Sequence, residues 1–147
     1  RIADPALPEP GRRRSRPHRM SHRHEVRVRY VDCDMQGVVY NAHYLTFVDD
    51  GFDCWMRALE PDFEDVYGWE VMLKKAEILW DGPAHFGETI AIDCEVTRWG
   101  NTSFDTTFTG TVDGRAVFSS TVTYVVVDHD EHRPVSVPDV LRIHLEA

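Results

Sequence analysis

The chain has 147 residues, the length of one ordinary domain, and its 42% hydrophobic and 28% charged residues are typical of a globular protein. A formal net charge of −9 repels nucleic-acid phosphates at long range, so a nucleic-acid partner is not expected. No apolar run approaches the length that spans a bilayer, so we expect no membrane partner either.

The start of the chain differs from the remainder in charge. Residues 1–24 contain seven arginines and two acidic residues, a net charge of about +5, and the remainder carries roughly −14. Proline and glycine interrupt this segment and it has no apolar stretch, so we predict a disordered basic leader. Met20-Ser21 looks like a natural start, so the leader is either an interaction arm or sequence outside the native protein. We therefore place one domain at residues 25–147.

The first predicted element is a strand that leads into an acidic turn. Residues 25–31 alternate apolar with polar side chains, which is the period of a strand with one wet face. Residues 32–37 contain two aspartates and end in a glycine, and an amphipathic helix follows at once. An acid therefore stands beside a helix N-terminus, where a carbonyl oxygen can be polarised. These are two parts that a hydrolytic acyl-transfer site needs.

The predicted helix has an apolar residue every three or four positions: Tyr44, Val48, Phe52, Trp55 and Leu59. Pro61 ends it, because proline cannot continue a helix. Gly51 costs a helix interior about 1 kcal/mol relative to alanine, so we expect a close approach to the sheet at this position.

The remainder of the chain has the period of strands. We predict strands at residues 69–80, 89–98, 102–112 and 116–127, and a short helix at 139–146. Gly100-Asn101 and Asp113-Gly114 are hairpin signals, and the second predicts a type I′ turn. The element order predicts an α+β fold in which one long helix lies on a curved antiparallel sheet. Such a sheet leaves an edge open, which favours pairing with a second copy.

These motifs resemble those of the hotdog-fold acyl-CoA thioesterases, the branch around 4-hydroxybenzoyl-CoA thioesterase and the Tol–Pal-associated acyl-CoA thioesterases. The likeness runs from about residue 25 to about residue 146. Its most specific part is an acid, two residues, then Gly-Val-Val-Tyr and a helix, which here is Asp34-Met35-Gln36-Gly37-Val38-Val39-Tyr40. Weaker motifs follow in the same order: Gly82 to Glu88, Gly100 to Phe104, and Val127 to Pro134.

The resemblance implies a hotdog fold of about five strands wrapped around the helix, and hydrolysis of an acyl-CoA substrate to free acid and CoA. It also implies a homodimer or homotetramer with the site at a subunit interface. We expect no cofactor and no metal. Three cysteines in no metal-ligand spacing, with no secretory signal, predict reduced thiols in the cytoplasm.

The resemblance assigns the catalytic role to Asp34, as a general base on water or as a nucleophile. Seven residues later some members carry a histidine, and others use a backbone N–H that points at the thioester carbonyl. This chain has Asn41 there, whose amide can supply that donor. The substrate-binding candidates are Tyr30, Gly37, Val38, Tyr40 and Tyr44.

Several of these residues also have structural interpretations. Asp34 can hold the strand-to-helix turn as an Asx-turn or N-cap residue, and Asp32 is interpreted as a turn or surface acid. His129 and His132 are interpreted as a loose polar loop with no ligand partner elsewhere. The helix acids are interpreted as a solvated face rather than as a helix-borne catalytic acid: Asp49, Asp50 and Asp53.

Two other functions were compared with thioester hydrolysis. A phosphatase of the haloacid-dehalogenase type is rejected, because the strand before Asp32 alternates with Arg27 and Arg29 whereas that fold needs a nearly all-apolar buried strand. A non-catalytic acyl-CoA or lipid-binding hotdog domain stays open as the alternative function.

Overall fold

A computed structural model describes residues 22–147, so residues 1–21 of the predicted leader lie outside the described residues. Five strands form one antiparallel sheet in the order β1-β3-β4-β5-β2. The strands are β1 His22–Arg27, β2 Trp69–Trp80, β3 Thr89–Trp99, β4 Ser103–Val112 and β5 Arg115–Asp128. The helices are α1 His43–Arg57, α2 Phe63–Tyr67 and α3 Asp139–Glu146. The predicted α+β fold is confirmed. Within the described range, no helix is both long and apolar enough to cross a bilayer.

The long helix α1 packs its apolar face against the sheet. Phe52 stacks on Tyr124 of β5, with ring centroids 4.0 Å apart and planes at 12°. One end of the helix makes a similar contact, because the rings of Tyr44 and Phe118 lie 5.0 Å apart. Side chains of β4 and β5 alternate between this buried layer and the opposite face. The core therefore lies between the helix and the sheet, as the helical and strand periods predict.

The hairpin between β4 and β5 has the predicted turn. Asp113 has φ 48° and Gly114 has φ 77°, so both central residues are left-handed, as a type I′ turn requires. Val112 and Arg115 pair directly across it. The turn chemistry of two residues thus sets the register of β4 against β5 where the two strands meet.

The first strand is shifted relative to its predicted range of 25–31. It begins at His22, before the predicted domain boundary, and ends at Arg27. Beyond it Val28 pairs with the turn before β3, since its N–H donates to Glu88 O at 2.8 Å. The chain then bends into a 3₁₀ turn at Tyr30–Asp32, so the prediction of strand at Tyr30 is wrong. The Asp32 carboxylate stabilises this bend by accepting the Arg29 N–H at 2.8 Å.

The helix after the acidic turn begins later than the motif predicts. Residues 38–40 are extended, with isolated bridges from Val38 to His85 and from Val39 to Cys33. The Val39 N–H also donates to Ala84 O at 2.9 Å, and α1 begins at His43. This pairing joins the motif segment that contains Val38 and Val39 to the later one that contains Ala84 and His85, which is far away in sequence.

Candidate active site

Asp34 lies in a tight turn that its own side chain helps to hold. Its N–H donates to Val38 O at 2.9 Å, and Gly37 N–H donates to Asp34 O at 3.0 Å. The carboxylate Oδ1 accepts the Gln36 N–H at 2.8 Å, which is an Asx-turn. Gly37 has φ +75° with nothing near the position of a Cβ, so the turn requires its backbone conformation rather than its small size. Asp34 therefore has the Asx-turn role that the sequence offered as its structural interpretation.

The same carboxylate also faces a cavity. Asp34 is half-buried, and within the described residues its Oδ2 has no hydrogen-bond partner. The cavity has a volume of about 760 Å³, within the range of ligand pockets. Its lining residues are Tyr30, Cys33, Asp34, Met35, Gly37 and Phe86. Asp34 can thus hold the turn with one oxygen and present the other to a bound molecule.

Two exposed aromatic rings form one wall of this cavity, and a cation lies over one of them. Tyr30 is 85% exposed and meets Phe86 edge-to-face, with ring centroids 6.1 Å apart. The Arg27 guanidinium lies 5.8 Å from the centre of the Phe86 ring. Among residues 22–147, no ion pair to Arg27 is present. This wall therefore combines apolar surface with a positive charge.

Of the two interpretations of Asp32, the turn acid is confirmed, because it ends the 3₁₀ turn, and the surface acid is wrong, because the residue is buried. Its Oδ1 lies 2.8 Å from His43 Nε2 and accepts the Arg29 Nη2–H at 3.0 Å. Burial acts to raise the pKa of this carboxyl, but the hydrogen bonds from Arg29 and His43 outweigh it and lower the pKa below the ordinary value. Asp32 therefore stays ionised beneath the turn that carries Asp34.

Asn41 lies just before α1, beside a second and smaller cavity. Trp80 Nε1–H donates to the Asn41 carbonyl at 3.2 Å, which fixes the orientation of this peptide. The described residues provide no backbone acceptor for the N–H groups of Asn41 and Ala42. The cavity measures about 240 Å³, and its lining includes Val38, Asn41, Tyr44, Trp80 and Pro83. Free amides at a helix N-terminus suit a developing negative charge.

The predicted site residues therefore fall into two adjacent groups. Tyr30, Asp34 and Gly37 line the larger cavity, and Val38, Asn41 and Tyr44 line the smaller one. Tyr40 lines neither and is 56% exposed. Because Gly37 and Val38 are consecutive, the two cavities are neighbours.

Tyr44 is chiefly a core residue. It is 2% exposed and packs against the Phe118 ring. Burial raises the pKa of this phenol above its ordinary value. The sequence offers Phe86 and Trp80 as aromatic residues that could shape a pocket, but only the pairing of distant segments places Phe86 at the larger cavity and Trp80 at the smaller one.

The other acidic and histidine candidates lie outside both cavities. On α1 the three acids are exposed, and Asp53 pairs with Arg57 at 3.0 Å, which agrees with a solvated face. The loop histidines do have a partner, contrary to the prediction. His132 Nε2 lies 2.7 Å from Glu70 Oε1, and His129 Nδ1 lies 3.3 Å from the other carboxylate oxygen. Glu70 is the second residue of β2 and pairs with Val127 near the end of β5, so this cluster joins a strand to a loop.

Residues 28–145 match the protein family described as the Thioesterase-like superfamily. Because the match spans most of the chain, the chain belongs to this superfamily, and its class is that of thioester hydrolases. The Bacillus subtilis (strain 168) protein named "Putative acyl-CoA thioesterase YneP" is 24% identical over 116 residues, covering 76% of this chain and 83% of that protein.

Solved structures show the same fold. A thioesterase superfamily protein of Jannaschia sp. CCS1 is 25% identical with a TM-score of 0.82, covering 90% of this chain and 95% of that one. The 1,4-dihydroxy-2-naphthoyl-CoA thioesterase of Synechocystis is 18% identical with a TM-score of 0.74, covering 84% of this chain and 93% of its own. The predicted hotdog family is thereby confirmed.

Proposed function

We propose that this protein hydrolyses acyl-CoA thioesters to the free acid and CoA, with Asp34 as the catalytic carboxylate. This proposal depends on one observation: Asp34 lines a cavity of about 760 Å³, and its carboxylate holds the turn through Oδ1 while Oδ2 has no hydrogen-bond partner among the described residues. Membership of the thioesterase superfamily supports the reaction, and the name of the Bacillus subtilis relative supports acyl-CoA as the substrate class.

In this proposal Asp34 acts as a general base on water or attacks the thioester carbon itself. In either case the C–S bond breaks and CoA leaves as the thiol, with a proton that water ultimately supplies. The Asn41 amide, at the start of α1, stabilises the oxyanion, a role worth about 3 kcal/mol per donor in other enzymes. Trp80 positions this donor, because its hydrogen bond to the Asn41 carbonyl fixes the adjoining peptide plane.

The substrate's phosphates need a cation close to the cavity, since the body of the protein is acidic. Most of the described arginines are engaged with carboxylates, as Arg98 is with Asp105 at 2.6 Å. Arg27 lies over the Phe86 ring at the cavity wall instead. We therefore assign Arg27 to the phosphates of CoA.

The free edge of β2 supports a homodimer as the working form. In the part of the chain that the structure describes, β2 pairs with β5 on one side and ends the sheet on the other. Exposed apolar side chains occur along it: Met72, Leu73, Leu79 and Trp80. An edge of this kind is normally covered, and a second copy would cover it. A homotetramer would require a further contact, for which the described residues supply no separate argument.

The three cysteines are free thiols, which supports the cytoplasm as the compartment of this activity. Fractionation of the source cells checks this assignment, and recovery outside the cytoplasm would contradict it.

Substitution of Asp34 by asparagine tests the catalytic proposal. We expect Asp34→Asn to lower turnover on a panel of acyl-CoAs by about a hundredfold or more, as loss of a base or nucleophile does. Turnover is measured as free-thiol release. The melting temperature should change little, because the amide oxygen can still accept the Gln36 N–H.

Two further measurements sharpen this test. Asn41→Ala should retain most of the activity, since it keeps the backbone amide, and Asp53→Asn is the control for loss of a carboxylate on an exposed face. Full activity of purified Asp34→Asn would overturn the assignment. Tight binding of acyl-CoA without hydrolysis by the unmodified protein would favour the non-catalytic alternative.

A further inference from the structure

Three potential metal ligands of different chemistry meet between β1 and α1. The His24 Nε2 lies 3.0 Å from Asp50 Oδ2, and the ligand atoms of His24, Asp50 and Cys54 all lie within 4.8 Å of one another. None of the three lines the cavities described above. The cluster is therefore separate from the hydrolytic site.

The local structure holds these side chains in place. Asp50 and Cys54 are four residues apart on α1, so they lie on the same helix face. His24 reaches them from β1, and its side chain is only 15% exposed. A Cβ at Gly51 would lie 3.2 Å from the His24 ring, so the glycine leaves room for the imidazole against the helix. Asp50 and Cys54 remain exposed, which gives an ion access from solvent.

We propose that His24, Asp50 and Cys54 bind a divalent metal ion of the zinc type. Zinc prefers nitrogen, sulfur and carboxylate ligands in tetrahedral geometry, in which ligand atoms are roughly 3.4 Å apart. The ligand atoms lie within 4.8 Å of one another, so binding would draw them closer together, and water would take the fourth position. Magnesium and calcium prefer oxygen ligands and fit this set poorly.

Binding exchanges protons for the metal. The ion replaces the proton that His24 Nε2 shares with Asp50, and it displaces the thiol proton of Cys54 to solvent. Because metal ligands bind in their deprotonated form, metal affinity should rise with pH.

The bound ion would join the sheet edge to the helix. Among residues 22–147, β1 is an edge strand that pairs with β3 alone. A metal held by one β1 residue and two α1 residues would tie this strand to the core, so the melting temperature should rise with zinc concentration.

Cobalt binding to the full-length protein tests the proposal. Co²⁺ should produce a sulfur-to-cobalt charge-transfer band in the near ultraviolet, and Zn²⁺ should bind at one ion per chain in calorimetry and remove that band. Cys54→Ser should abolish the band. Cys54→Ser and Asp50→Asn should each weaken Zn²⁺ binding by about tenfold or more, on the order of losses seen at metal sites.

Asp53→Asn is the matched control, because it removes a neighbouring helix carboxylate outside the cluster. It should bind Zn²⁺ like the unmodified protein. The proposal is overturned if the unmodified protein shows no charge-transfer band, or if Cys54→Ser and Asp50→Asn bind Zn²⁺ with unchanged affinity. These readouts are independent of thioester hydrolysis.

Discussion

The buried Asp32 carboxylate lies two residues before Asp34 and connects the preceding bend to the start of α1. It accepts hydrogen bonds from the Arg29 backbone and guanidinium, and it contacts His43 at the start of α1. Asp34 follows two residues later, so the position of its side chain depends on this network. Asp32 is therefore a positioning residue, whereas Asp34 is the proposed catalytic one.

Loss of the Asp32 charge should destabilise the fold. We expect Asp32→Asn to lower the free energy of unfolding by about 2–3 kcal/mol at pH 7, because a buried carboxylate that accepts hydrogen bonds from Arg29 and His43 loses its charge. Urea denaturation measures this change. Asp53→Asn, which removes an exposed i,i+4 ion pair, should cost no more than about 0.5 kcal/mol. Equal losses in the two variants would contradict the role of Asp32.

The lowered pKa of Asp32 predicts that the free energy of unfolding depends on pH. The pKa of Asp32 in the folded state lies below its ordinary value of 3.8, so its stabilising contribution is fully present above about pH 4. That contribution is lost as the pH falls through the lowered pKa. The stability difference between the unmodified protein and Asp32→Asn should therefore shrink from pH 7 to pH 3. A difference that stays constant over this range in urea denaturation would exclude such a linkage.

Arg27 is expected to affect substrate binding rather than chemistry. Arg27→Ala should raise KM for acyl-CoA by roughly fivefold with kcat nearly unchanged, as expected for one solvent-exposed ion pair. Steady-state kinetics at two salt concentrations measures this effect, which should be smaller at high salt. Arg23→Ala is the control, because Arg23 lies on the same strand but pairs with Asp93 at 2.7 Å. An equal rise of KM in the control would assign the effect to net charge.

At the scale of elements, the packing of β4 against β5 depends on a glycine that leaves room for an aromatic ring. A Cβ at Gly110 would clash with the ring of Phe118, its partner residue on β5. The register shifts between Gly110 and Thr111, so the sheet is irregular at this point. Phe118 also meets Tyr44 of α1, so this contact links the sheet to the helix beside the smaller cavity.

Filling this gap should strain the core. We expect Gly110→Ala to lower the free energy of unfolding by about 1–3 kcal/mol, because a buried ring must move to admit the methyl group. Denaturant titration measures the loss. Thr109→Ala, on the opposite face of the same strand, should change stability by less than about 1 kcal/mol. If Gly110→Ala is as stable as that control, the sheet accommodates the methyl group without strain.

At the scale of the whole molecule, the edge of β2 that is open among residues 22–147 is the contact surface of the proposed dimer. The proposed dimer pairs this edge with its copy and covers Leu79, which is 68% exposed in the single chain. We expect light scattering at micromolar concentration to give twice the chain mass. Met72→Lys combined with Leu79→Lys should give the single-chain mass, because charges oppose edge pairing.

Ile143→Lys is the control for this experiment. Ile143 on α3 is also exposed, but it lies away from the β2 edge, so its variant should remain a dimer. A fully active unmodified protein with the mass of one chain would contradict the proposed assembly.

Local patterns in the sequence were sufficient for most elements. The predicted range of 69–80 for β2 and 139–146 for α3 agree with the structure, and β3, β4 and β5 differ by one residue at their ends. These elements are determined by alternation and by turn residues such as Gly114, which act over a few positions. The predicted end of the first strand was wrong, because the Asp32 carboxylate accepts the Arg29 N–H and the chain bends before Tyr30.

The sequence by itself therefore determined the fold class, the family motif and Asp34 as the acid to test. Only the tertiary structure decided which of two neighbouring aspartates is buried, which aromatic rings line the cavities, and that His24 lies beside Asp50 and Cys54. The physical reason is the sequence distance over which each interaction acts. Turn and helix preferences act between near neighbours, whereas burial and side-chain partnership depend on sheet pairing between segments tens of residues apart.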